Sequence, residues 1–243
     1  DEDFEKQSSE ILQLSVINNE GIKQLRPSVE AGFHSLLKKY VIHSHSVYAN
    51  ILCCSAEGKE TAGKIFKDRS FIWLPYVDPG AKLTLAIANE IEKTNEVPEI
   101  VFMQNHGVIV SSDTADGVIY LHEMVNSAIK DNYNITEDFP EVNLVVSHEG
   151  IVKSGSPYTK DFFARHSEGL NILKNKVLYP DQLVYLNNSI FKNNGEKPDL
   201  YFEDEALNYR VSQKQAMVNE ETLVAYLYVL KTIEKLQLTL VTM

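Results

Sequence analysis

The chain has 243 residues, 44% of them hydrophobic and 23% charged, the proportions of a soluble globular protein with one large domain or a domain plus an appendage. Its formal net charge of −11 argues against a nucleic-acid binder, which needs a basic face, while leaving room for a local basic pocket. The two cysteines, Cys53 and Cys54, are adjacent, so no disulfide framework is expected, and buried thiols fit a reducing, cytoplasmic setting.

Taken in order, residues 1–26 are polar and mixed. Ile11, Leu14, Val16 and Ile17 are expected to supply a strand, and Asn18 to Gly21 a turn. Ser28 is a candidate N-cap for a helix over 29–40, with Phe33, Leu36, Leu37 and Tyr40 along its apolar face. Glu30 then falls in the first turn, where the helix dipole favours a negative charge. Val41 to His45 changes period, and alternation puts Val41, His43 and His45 on one face of a strand, with Ile42 and Ser44 on the other. Val47 to Cys54 is expected to be an apolar helix, and Phe71 to Tyr76 a buried extended segment.

Asp78 before Pro79 predicts the cap of a helix running to about Lys93. Glu99 to Met103 is a strand that Asn105-His106-Gly107 interrupts and Gly107 to Val110 resumes. Asp113 or Ser112 caps the next helix, whose core face carries Val118, Leu121, Val125 and Ile129. A soft boundary near residue 140 divides a first domain, 1–140, from a C-terminal extension, 141–243. Strands are expected in the extension at 143–147, 182–186, 199–202 and 207–211, followed by a helix over 215–236. No apolar run approaches a membrane span, and the N-terminus lacks a signal peptide's basic and apolar regions. The chain opens on Asp1 and ends on an apolar stretch, so pieces at both ends are expected to be missing.

The chemistry concentrates in four residues. Same-face positions two apart on a strand lie roughly 6.5–7 Å apart at Cα, which lets the imidazoles of His43 and His45 converge on one ion. Three protein ligands with an open position are the pattern of a catalytic zinc site, and His106 would make the third. Glycine at 107 permits close backbone approach where the strand breaks. His34, one turn after Glu30, is expected to be structural or orienting, while His122, His148 and His166 are expected at the surface or in packing.

Three stretches, Pro27 to His34, Val41 to Val47 and Gln104 to Val108, together resemble the class II aldolase/adducin family over about residues 15–132. The resemblance implies a three-layer α/β/α sandwich about a central, largely antiparallel sheet, with a small C-terminal α+β extension. It implies that His43, His45 and His106 bind a divalent metal, zinc first, with manganese or cobalt as alternatives. It implies that Glu30 is the catalytic acid/base and that Ser28, Asn105 and Gly107 contact the substrate. The implied reaction is retro-aldol cleavage of a sugar or sugar phosphate, with the metal as Lewis acid and Glu30 at a pKa lifted towards neutrality. Epimerisation, dehydration, decarboxylation and an adducin-like interaction role also occur in the family. The implied partners are a small sugar substrate and further copies of the chain, as a tetramer, with no nucleic acid and no membrane. Two departures stand out. The family's Gly-Asn-x-Ser and Ser-Gly phosphate-binding turns are missing upstream, and Val29 stands where a second serine is usual. The stretch from Val177 to Val184 resembles the extension of longer family members.

Overall fold

A computed structural model describes residues 2–17, 21, 26–148, 150–166, 169–190, 197–203 and 206–243. Its first sheet has the strand order β1-β4-β3-β2, with β1 spanning Tyr40–Ser44, β2 Phe71–Leu74, β3 Ile100–Met103 and β4 Gly107–Ser112. The β1–β4 and β4–β3 pairs are antiparallel and β3–β2 is parallel, so the sheet is largely antiparallel.

All four residues of β3 are buried, because both faces of this sheet are covered. Alternate side chains therefore enter different cores. Ile100, Phe102, Val108 and Val110 pack with α3 (Val47–Cys53), α4 (Gly58–Ile65) and α6 (Ala115–Asn132). Val101, Met103 and Ile109 pack on the other face with Phe33 of α2 (Ala31–His34) and with Leu83 and Ile87 of α5 (Ala81–Thr94). The result is an α/β/α sandwich.

The N-terminal expectations need correction. Residues Glu2–Leu14 form a helix, α1, rather than contributing to a strand. Ile11 and Leu14 stand three apart, a helical spacing, and both are exposed. Asn18, Asn19 and Glu20 of the expected turn lie outside the described residues, while Gly21 has φ +83°. The helix expected over 29–40 shrinks to the four residues of α2. Leu36 and Leu37 still reach the α5-side core from the bends that follow, so the apolar spacing is satisfied without a continuous helix.

Helix α5 begins at Ala81, with Gly80 at the cap position instead of Asp78. Its first amides donate to a distant side chain: Ala81 N to Glu5 Oε2 at 3.1 Å and Lys82 N to Glu5 Oε1 at 3.3 Å. One helix thus supplies the acidic cap of another. Helix α6 is capped by Thr114, whose hydroxyl accepts from Gly117 N at 3.1 Å, one residue beyond the expected Asp113. Its four expected core residues are all buried.

Asn105-His106 does not interrupt a single strand. It is the tip of a tight hairpin that reverses the chain, with Met103 paired to Gly107. Asn105 takes φ +53°, a left-handed conformation that asparagine tolerates.

The C-terminal region carries a second, antiparallel sheet of order β5-β6-β8-β7, with β5 Leu144–Val146, β6 Val152–Ser154, β7 Leu200–Glu203 and β8 Ala206–Tyr209. Helices α7 (Pro157–Arg165), α8 (Gly169–Asn175), α9 (Asn188–Ile190) and α10 (Gln213–Lys235) surround it. The strand expected over 182–186 is instead a π-helix, Gln182–Asn187, which buries Gln182 and Leu186. Leu223, Leu227, Leu230 and Ile233 of α10 enter a core that also takes Ile51 and Cys54 from the N-terminal half. The extension is therefore packed onto the first sandwich through α3. No described helix is long and apolar enough to cross a membrane.

Candidate metal centre

Three structural devices bring the histidines together. Strand alternation aims His43 to the α2 side of β1 and Ser44 to the α6 side, where its hydroxyl meets His122 Nε2 at 2.7 Å. His45 follows at the strand end. The hairpin tip then delivers His106 beside it. Gly107 makes this approach possible, because a Cβ there would lie 2.4 Å from the Ser44 carbonyl oxygen and 3.1 Å from the His45 ring.

One ring nitrogen from each of His43, His45 and His106 lies within 4.8 Å of the other two, an arrangement that could hold a metal ion. Glu30 Oε1 stands 3.5 Å from both His43 Nε2 and His106 Nε2. It is brought there by the turn before α2, where the Glu30 amide donates to Ser28 Oγ at 3.2 Å.

Hydrogen bonding fixes the tautomers. His43 Nδ1 lies 3.1 Å from the Val108 carbonyl oxygen, which can only accept, so Nδ1 carries the proton. His45 Nδ1 lies 2.7 Å from Asp181 Oδ2, and the same argument applies. In the neutral rings both Nε2 atoms are then bare acceptors, yet they face each other at 3.1 Å. His106 is 1% exposed, and neither of its ring nitrogens has a hydrogen-bond partner. Converging lone pairs with no proton between them, beside an orphaned buried imidazole, are the surroundings a divalent cation satisfies.

The electrostatics agree in sign. In their protonated forms the imidazoles of His106 and then His43 donate to the Glu30 carboxyl and hold it well below its ordinary 4.5, against the opposing effect of burial. A cation at the same place acts in the same direction. Glu30 is therefore an ionised carboxylate, contrary to the expected upward shift. Burial lowers His106 below its usual 6.5, with the adjacent Glu30 resisting, and burial does the same to His122. A base held neutral by the fold contributes stability that is complete above pH 6.5 and lost as the pH falls through that value towards the lower folded pKa, because the unfolded chain takes up the proton first. Glu30 adds a loss of the same sign at still lower pH. Chelator-treated protein is thus expected to melt at progressively lower temperature from about pH 7 to about pH 5. A flat or rising profile by calorimetry would contradict the neutral burial of these rings.

Asn105 and Gly107 are both committed to the packing of the chain. Asn105 is 1% exposed, and its amide nitrogen donates to the Leu178 and Val241 carbonyls at 2.9 and 2.8 Å. Gly107 is occupied in chain packing. Ser28 is exposed and, with Arg26, Lys6 and Ser9, borders an open groove of about 540 Å³ between α1 and the segment before Glu30. Neither Glu30 nor any of the three histidines lines this groove. His34 stacks on Phe33 with ring centroids 4.9 Å apart, and His148 and His166 are exposed. Asp181 went unanticipated. The one signal for it was its place in the distinctive Val177–Val184 stretch.

Residues 5–133 match the family model of the class II aldolase and adducin N-terminal domain. A 95-residue stretch, 39% of the chain, is 37% identical to the protein named "Uncharacterized oxidoreductase YuxG" of Bacillus subtilis (strain 168), and it spans 14% of that relative's length. The N-terminal class II aldolase domain of a conserved protein from Thermoplasma acidophilum is 23% identical, with a TM-score of 0.45 over 53% of this chain and 57% of that one.

Proposed function

Since the chain belongs to the class II aldolase and adducin family, we propose that it is a divalent-metal-dependent lyase cleaving a sugar or sugar phosphate by retro-aldol chemistry. The observation that carries this reading is the pair of bare Nε2 atoms of His43 and His45, 3.1 Å apart, with the orphaned ring of His106 and the Glu30 carboxylate closing round them. His43, His45 and His106 would hold the metal, with zinc as first choice and manganese or cobalt as alternatives. When bound it supplies Lewis acidity, drawing electron density from a substrate carbonyl.

Glu30 does the proton work. Retro-aldol cleavage removes a proton from the hydroxyl beside the breaking carbon–carbon bond and returns one to the carbon that keeps the electron pair. An ionised carboxylate can accept the first and then deliver the second. The neutral state of His106, enforced by burial, keeps its ring available as a ligand. Ser28 holds the backbone turn that presents Glu30, and its exposed hydroxyl can also meet an anionic end of the substrate in the adjoining groove. Assembly with further copies in the cytoplasm, as a tetramer, completes the proposal.

The test combines metal content with product formation. Purified protein is expected to contain one divalent ion per chain and to release carbonyl fragments from members of a panel of ketoses and ketose phosphates. Chelation should abolish the release and zinc restore it. A metal-free protein inert towards the whole panel, with or without added zinc, would assign the fold an interaction role instead.

A further inference from the structure

We propose that Asp181, 136 residues beyond His45, is the positioning residue of this metal centre, which makes the C-terminal region part of the site. The inference rests on the metal-binding reading above. Asp181 directly precedes the π-helix Gln182–Asn187 at helical φ −57° and ψ −35°, outside the geometry in which a capping aspartate accepts from a helix's first amides. It makes no such capping bond. Its carboxylate reaches out to His45 Nδ1 at 2.7 Å instead.

That contact sets what His45 can do. A carboxylate accepting from Nδ1–H keeps the proton on that nitrogen, leaves Nε2 free, and stops the ring from turning. His43 receives the same service from the backbone carbonyl of Val108. His45 lies just past the end of β1, where the β-ladder offers no such carbonyl, and Asp181 takes that part.

The backbone behind Asp181 is firmly held. Gln182 is fully buried, and its side chain accepts from Leu178 N at 2.9 Å while donating to the Leu173 and Lys176 carbonyls at 2.7 and 3.1 Å. Leu178 is tied in turn to the hairpin tip through Asn105. The carboxylate that orients one histidine and the turn that carries another are thus braced by the same short segment. π-Helical turns recur at functional sites, where they place a side chain that a regular helix would not.

The proposal is tested with zinc as the probe, by competition against a chromophoric chelator, and by long-range 1H–15N spectra of the zinc-free protein that report the His45 tautomer. Asp181→Ala is expected to weaken zinc binding roughly 10–100-fold and to let His45 populate both tautomers. Asp181→Asn keeps an accepting oxygen without the charge, so it should hold the Nδ1–H tautomer and lose less affinity. Val184→Ala, at an exposed position of the same π-helix, should match the wild type. If the wild type binds zinc and Asp181→Ala binds it equally tightly with an unchanged tautomer, the positioning role is wrong and the metal centre stands. If the wild type binds no zinc, both readings fall. Should Asp181→Ala not fold, Asp181→Asn decides alone: wild-type affinity with a mixed tautomer overturns the proposal.

Discussion

His43→Ala is expected to lose its metal on ordinary purification and, with it, measurable turnover. The substitution removes one of three ligands, and its effect on zinc affinity should exceed the roughly 100-fold that accompanies loss of an outer partner. It also removes the His43 Nδ1 hydrogen bond to the Val108 carbonyl, which contributes about 0.5–1.5 kcal/mol of stability. The two effects separate experimentally. Elemental analysis and chelator competition read the metal, while a melt of chelated wild type against chelated variant reads the carbonyl. A variant that retains wild-type zinc and wild-type turnover would remove His43 from the centre.

Glu30→Gln should do the opposite, keeping the metal and losing the chemistry. Glutamine fills nearly the same volume and leaves His43, His45 and His106 in place, but it cannot carry the proton between substrate oxygen and carbon. Positioned acid–base groups contribute about 10²–10⁴ in rate, and kcat is expected to fall by that factor with zinc content unchanged. The pH profile provides a second check. The Glu30 carboxyl lies well below its ordinary 4.5, and a cation at the same place acts in the same direction, so wild-type kcat should not fall near neutrality on its account. A Glu30→Gln protein with undiminished kcat would show that the proton is handled elsewhere. Set beside His43→Ala, this variant distinguishes the group that moves a proton from those that hold an ion.

Much of this site could be read before the fold was in view, because strand alternation is a rigid rule. Two positions apart on a strand means one face, and that alone paired His43 with His45. The sandwich was legible by resemblance and again from β3, whose unbroken apolar run requires cover on both sides. What escaped were reversals and long-range partners. The apolar runs on either side of Asn105 fit one interrupted strand or two antiparallel arms, and the antiparallel pairing of β3 with β4, with the positive φ at Asn105, separates them. At 182–186 the burial of Gln182 and Leu186, four apart, was masked by the unbroken apolar run Leu183-Val184-Tyr185-Leu186, which carries no period of its own. Glu5 and Asp181 are acids among many, and nothing near them in sequence says that one caps α5 and the other orients His45.

The bond from Asn105 to the Val241 carbonyl has a consequence for how the protein is made. Asn105 and the three histidines are translated before Leu178 and Val241, whose carbonyls hold the hairpin tip. Asn105, Asp181 and residue 241 are brought together only when translation has passed them all. The hairpin tip that carries His106 therefore takes its braced form only once residue 241 has been made.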